Sequence, residues 1–305
     1  MNQHDYIQHL LQQKIDHYKG QVTQEVLKQF TNEVMQAINQ KPRPEAEGLT
    51  PEQLHGLLNF LFTERSVVKL NTSIEDESAL QSPILKLCIS YLEIIQREES
   101  IKLTKTEALP VKVVTELYGK EYIVEKVLNS IIKVRTEKDS ISIQLVKIVS
   151  QQAGLTKIRN GKLSLTAKGS SLLKSPAKLL ILLTETYFLK FAWSYFDLYE
   201  SKDTAQFGAG YTLILLQKYG TQEREATFYS NKFLEAFPTT VNEFGRGYSS
   251  PENQFRDCFI WRTFQRNLNW LGVVETRNTD WNIDRTDIQW VKTTPLFGEL
   301  IIITK

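Results

Sequence analysis

Apolar residues recur at helical spacing through most of this chain and give way only briefly to alternation. Leu10, Leu11, Ile15 and Tyr18 mark one stripe, and Val26, Phe30, Val34 and Ile38 mark another. Residues 1–40 therefore read as two helices, broken at Gly20-Gln21. Lys41-Pro-Arg-Pro-Glu-Ala-Glu-Gly48 is a linker by composition. Thr50-Pro51-Glu52-Gln53 then opens a helix carrying Leu54, Leu57, Leu58 and Leu61, with a capping hydroxyl, proline at the first position and Gln53 placed to close a capping box. The longest apolar run, Leu179–Tyr199, contains Glu185, Lys190 and Asp197. Those charges exclude a membrane span, and the run reads as one long core helix joining two domains.

Between these helices the period changes. Leu155-Thr-Lys-Ile-Arg-Asn-Gly-Lys-Leu-Ser-Leu-Thr166 is two alternating runs joined by Asn160-Gly161. Asn-Gly suits a two-residue hairpin because both central residues of a type I′ turn need positive φ. The elements expected around it are a helix Ile84–Arg97, a strand Ile101–Leu103, a helix Pro110–Tyr118, an extra helix Val124–Ile132, a helix Ser140–Ala153 stopped by Gly154, and a short helix capped by Thr166. That order is the plan of a winged helix-turn-helix. A second copy is expected where Leu271-Gly272-Val273 leads through a hairpin to Thr293-Thr294-Pro295, with helices Tyr211–Tyr219, Glu223–Phe237 and Phe255–Leu271 and a long acidic turn around Asn278–Asp287. The expected fold is mostly α with short β-hairpins, tandem winged helix-turn-helix modules following N-terminal helices. Its expected divisions are 1–48, 49–178, 179–206 and 207–305.

Charge sharpens this picture. The chain has 37 basic and 35 acidic residues, but they are unevenly spread. Residues 83–178 hold 17 basic against 9 acidic, while the flanking thirds are net acidic. From Ser140 to Thr184 there are seven bases and no acid, so only this part of the chain would attract a polyanion. In the hairpin, Ile158, Leu163 and Leu165 are expected on the core face, with Lys157, Arg159 and Lys162 pointing outward. Lys168 follows on the next helix. On a helical wheel of the preceding helix, Ile141, Leu145, Ile148 and Val149 face inward, and Gln144, Lys147 and Gln151 face out, where they could meet base edges.

The same wheel applied to Phe255–Leu271 gives an inward stripe of Trp261, Phe264, Leu268 and Leu271. The opposite face combines Arg262 and Arg266 with Phe259 and Trp270. Large aromatics there imply a covered surface, closed by another part of the chain or by a partner, including a homodimer.

Residues with catalytic or metal-binding spacing are scarce. All four histidines lie in the first 55 residues, and neither Cys88 nor Cys258 has ligand or redox spacing around it. Gly245-Arg-Gly247 and Gly208-Ala-Gly210 lack the lysine and strand context of a phosphate loop. No cofactor or metal is expected, and with no signal peptide the expected compartment is the cytoplasm.

Leu49-Thr-Pro-Glu-Gln-Leu-His55, Ser82-Pro-Ile-Leu-Lys86, Ile101-Lys-Leu-Thr-Lys-Thr-Glu-Ala-Leu-Pro110 and Gly161-Lys-Leu-Ser-Leu-Thr-Ala-Lys-Gly169 resemble an uncharacterised bacterial winged-helix family. That family is related to plasmid- and transposon-borne open reading frames, some carrying a SEC-C metal-binding segment. The likeness extends through Trp193-Ser-Tyr195 to Thr294-Pro-Leu-Phe297. This chain has Glu107-Ala108 where those relatives carry glycine and asparagine before the Leu-Pro pair, and it lacks the cysteine cluster of a SEC-C site. The resemblance implies a fold and mobile-element relatives; it implies no activity. The expected function is non-enzymatic duplex DNA binding through the basic hairpin, with a protein-interaction role as the alternative.

Overall fold

The computed structural model describes residues 3–125, 134–245, 247, 249–278 and 288–304. Most of the expected helix Val124–Ile132, and the acidic turn at 279–287, lie outside the described residues.

The protein is mostly helical, with small antiparallel sheets. Helices α1 (Gln3–His17) and α2 (Gln24–Asn39) form a hairpin that reaches the body through α3 (Pro51–Asn59). The Thr50 hydroxyl accepts from Gln53 N at 3.2 Å while the Gln53 side chain accepts from Thr50 N at 2.9 Å, closing the expected box. Strand β1 (Val68–Leu70) and the short α4 (Asp76–Ala79) follow.

The first repeat begins with α5 (Pro83–Arg97), whose buried face carries Leu85, Cys88, Leu92 and Ile95. Strand β2 (Ile101–Lys102), α6 (Val111–Tyr118) and α7 (Ile141–Gln152) come next. Glu125 caps α7, accepting from Ile141 N at 2.8 Å and from the hydroxyls of Ser140 and Ser142; a carboxylate suits the positive end of a helix. Helix α7 ends at Gly154, whose φ of +73° is the left-handed conformation that glycine adopts without strain. Strands β3 (Thr156–Arg159) and β4 (Lys162–Leu165) then make the hairpin, turned through Asn160 and Gly161 at φ +50° and +69°. The pairing Arg159↔Lys162, Ile158↔Leu163 and Thr156↔Leu165 is the expected register, and β2 adds a third strand in the order β2-β4-β3. Of the three core-face residues, Leu163 is fully buried; Ile158 and Leu165 are half-buried and pack against the margin of the core.

Helix α8 (Ala167–Leu172) and α9 (Pro176–Leu189) follow. The single helix expected over Leu179–Tyr199 stops at Leu189. The Trp193 indole donates to Tyr187 O at 2.9 Å, and the Gln206 amide donates to Phe188 O and Phe191 O at 3.0 and 2.8 Å. These side chains take the carbonyls that another helical turn would have used, and Trp193–Phe196 forms a 3-10 turn instead.

The second half runs through α10 (Ala209–Tyr219), β5 (Arg224–Glu225), α11 (Ala226–Ala236) and α12 (Pro251–Ile260). Helix α12 continues as a π-helical stretch, Trp261–Leu268, and a last turn, α13 (Asn269–Leu271). Strands β6 (Val274–Asn278) and β7 (Ile288–Thr293) lead to α14 (Pro295–Leu300) and β8 (Ile301–Ile303). Its sheet order, β5-β7-β6, repeats that of the first sheet. The junctions repeat as well. Thr166 Oγ1 donates to Gly154 O at 2.7 Å, and Thr294 Oγ1 donates to Gly272 O at 2.6 Å. Thr166 N donates to Leu155 O, and Thr294 N to Val273 O.

The halves share one core. Leu271 from α13 meets Ile84, Cys88, Val146, Val149, Leu183 and Tyr187 around a small apolar cavity. Strand β1 pairs with β8, Val68↔Ile303 through Leu70↔Ile301, joining early and late segments.

Candidate nucleic-acid interface

The outer face of the first sheet is built by strand alternation. Register places Lys102 beside Lys162 and Lys162 beside Arg159, one basic residue from each strand in a single row. Lys157 lies two residues from Arg159, on the same face, opposite Ser164. All four basic side chains are exposed, and among the described residues none has an ion-pair partner. Like charges directly opposed across strands repel. Phosphate oxygens would relieve that repulsion. The inner face, Ile101, Leu163 and Ile158, packs on the core.

Lys102 was not among the residues the sequence pointed to. Its signal was the alternation Ile-Lys-Leu within a strand, but the partner strand lies some sixty residues on.

Lys147, expected to face out from α7, is buried. Its ammonium donates to Glu137 Oε2 and Oε1 at 2.9 and 3.1 Å and to Glu107 O at 2.6 Å. The same Glu137 carboxylate accepts from Leu109 N, so the pair pins the β2–α6 loop to α7. Ile148 is half-exposed instead, and the open stripe of α7 runs Gln144, Ile148, Gln151, Gln152. Gln144 donates back to Ser140 O at 3.3 Å. Because α7 is packed by α5, α6 and α9, that stripe is narrow. Lys168 is exposed, and its ammonium donates to Ala153 O at 2.9 Å, at the negative end of α7.

The second sheet has the same frame and different chemistry. Matching Gly154 to Gly272 and Thr166 to Thr294, the row Lys102–Lys162–Arg159 corresponds to Glu225–Trp290–Arg277. Arg277 is already engaged: its guanidinium donates to Glu223 at 3.0 and 2.8 Å and lies 5.4 Å from the Trp290 ring centre. That ion pair holds the Glu223 carboxyl below its ordinary range. Lys157 is matched by Glu275.

The expected interface residues of the second half are taken up within the chain. Phe259 and Arg262 are fully buried, and Arg266 and Trp270 nearly so. Phe259 sits among Phe233, Phe255 and Phe264, and Arg266 lies over Trp261. Arg262 holds Asp197 through two bonds of 2.8 and 2.7 Å and also donates to Ser201 O and Thr204 O. The cover on this face is thus the chain's own 197–204 segment.

Among the described residues, no group of histidine, cysteine and carboxylate side chains is arranged to hold a metal ion, and no helix is long and apolar enough to cross a membrane. Burial pushes both thiols, Cys88 and Cys258, up to about 12.

What the molecule offers at its surface is therefore a basic sheet face, without ion-pair partners among the described residues, on a mostly helical chain. Residues 80–178, the segment that carries this face, match the family model described as the Y4jL N-terminal domain. No curated protein and no solved structure matches the chain.

Proposed function

We propose that residues 83–178 form a winged-helix module that binds duplex DNA through its phosphates, with β3 and β4 as the wing. The observation that carries this reading is the cross-strand row Lys102–Lys162–Arg159, joined by Lys157, exposed and without ion-pair partners among the described residues. Proteins that prefer single strands usually present aromatic rings on which bases stack. The outer positions here are Lys, Arg and Ser, which favours the backbone of a duplex. The second half is read as a module of the same plan in which Glu225, Trp290 and the engaged Arg277 replace the basic row, so DNA contact belongs to the first module alone.

The test is fluorescence anisotropy of the full chain on random-sequence duplex over a salt series starting at about 50 mM. The double substitution R159E/K162E is expected to weaken binding at least about tenfold on every sequence and to lower the log–log salt slope, since each phosphate contact contributes about 0.9. No binding by the unmodified protein at low salt, or an unchanged affinity in the double variant, overturns the proposal in favour of a protein-interaction role.

A further inference from the structure

One outward position of the first sheet is small and neutral. Ser164 lies on β4, the central strand, directly opposite Lys157 and two residues from Lys162 on the same face. Arg159, opposite Lys162, completes a square of four outward positions. Its backbone measures about 5.5 Å across the strands and about 7 Å along them. Three corners carry long basic side chains, exposed and without ion-pair partners among the described residues. The fourth is Ser164, whose hydroxyl has no hydrogen-bond partner among the described residues.

A short side chain among longer ones leaves a hollow, and the residues that frame this one are all cationic. At its floor the Ser164 hydroxyl is a neutral donor, at a half-buried position. A phosphate group suits such a hollow. Serine hydroxyls are regular donors to phosphate oxygens, and bonds from Lys and Arg to phosphate are strengthened by charge. No acidic residue occurs between Ser140 and Thr184 to occupy the hollow from the hairpin itself or from the helices on either side of it.

In the second module the same square is filled. Lys292 stands where Ser164 does and faces Glu275, while Trp290 replaces Lys162 and Arg277 is held by Glu223. The small hydroxyl floor thus belongs to the first module, together with the unpaired bases. We propose that the square around Ser164 holds one phosphate group, with Ser164 Oγ donating to a phosphate oxygen whose charge is met by Lys157, Arg159 and Lys162. Lys102, across β4 from Arg159, lies outside the square. This rests on the reading of the first module as a DNA-binding unit, and adds a neutral hydroxyl that fixes where on the wing a phosphate sits.

Anisotropy of the full chain on duplex DNA over a salt series tests this, because a neutral donor and a cation leave different marks. The salt slope counts neutralised phosphates, and a hydroxyl adds affinity without adding to that count. Ser164→Ala is therefore expected to weaken binding about fivefold at every salt concentration, with an unchanged log–log slope. Its melting temperature is expected to stay the same, since the hydroxyl bonds nothing within the chain. Ser164→Thr, which keeps the hydroxyl, is expected to restore most of the lost affinity. A duplex closed at both ends by loops, compared with one bearing phosphorylated ends, separates the two sources of the group. Equal affinity assigns the site to a backbone phosphodiester, and a preference for phosphorylated ends that Ser164→Ala removes assigns it to a terminal phosphomonoester. Unchanged affinity in Ser164→Ala, or a slope that falls with it, overturns the proposal and leaves the DNA reading standing. Absence of binding by the unmodified protein removes both.

Discussion

Lys147 donates to both carboxylate oxygens of Glu137, at 2.9 and 3.1 Å, from the buried side of α7. The two side chains are only 9% and 11% exposed. Removing one member of such a pair leaves the other charge without compensation, at a cost of about 3 kcal/mol or more. Lys147→Ala is therefore expected to lower unfolding free energy by that amount in a urea titration. Its affinity for duplex DNA, measured on the folded fraction, should stay unchanged, because the ammonium does not reach the surface that carries the basic row.

Lys102 should behave in the opposite way. Lys102→Glu is expected to leave the melting temperature nearly unaltered, weaken DNA binding, and reduce the log–log salt slope by about 0.9 for the lost phosphate contact. Anisotropy over a salt series checks it. A slope equal to that of the unmodified protein would remove Lys102 from the interface.

Gly154 and Gly272 play the same role in the two repeats but differ in their surroundings. Both are left-handed, so alanine is strained at either by about 1 kcal/mol. A Cβ at Gly154 meets nothing within 4 Å, whereas at Gly272 it would lie 2.7 Å from Pro83 Cδ and 3.2 Å from Ser82 Cα. Gly272→Ala should therefore destabilise more than Gly154→Ala, as read by the difference in denaturation midpoints.

The Glu47 carboxylate ties the N-terminal linker to the second half, accepting from the Tyr219 hydroxyl at 2.7 Å and from Lys218 and Lys232. Burial alone would raise its pKa, but these donors outweigh it and hold the carboxyl below its ordinary value. A depressed folded-state pKa adds stability that is present above the unfolded-state value and is lost as pH falls through the folded-state one. Glu47→Gln should cost roughly 1–2 kcal/mol at neutral pH. The gap between variant and unmodified protein should close below about pH 4 in thermal melts.

With their thiols pushed up to about 12 by burial, Cys88 and Cys258 should both resist a thiol-specific reagent at pH 8. Labelling is expected to track global unfolding in denaturant. Fast modification of either thiol under native conditions would contradict its placement in the core.

The features legible in the sequence were those whose cause is local. Asn160-Gly161 specifies a turn by its own backbone preferences, and Thr50 finds its capping partner three residues away. The features that were missed depend on distant partners. A helical wheel places Lys147 outward because lysine is costly to bury, but Glu137 and the Glu107 carbonyl lie outside the helix. The aromatics of 187–196 mimic a continuing helical stripe, whereas Gln206 and Trp193 intercept its carbonyls. Arg262 looked like part of an interaction face because its partner, Asp197, is 65 residues upstream. Lys102 was read correctly as part of a strand, but only pairing with β4 makes it one of a row.

The β1–β8 pair has a consequence for how the protein is made. Asn71, just past β1, donates to the carbonyl of Glu299, 228 residues further along. As the chain leaves the ribosome, Val68–Leu70 therefore has no native strand partner until residues 301–303 have been synthesised. Through that interval its strand edge is open to pairing with other nascent chains, and contacts this distant in sequence form slowly. Closure of this sheet thus depends on residue 303 having been translated, and fragments stalled before it would be aggregation-prone.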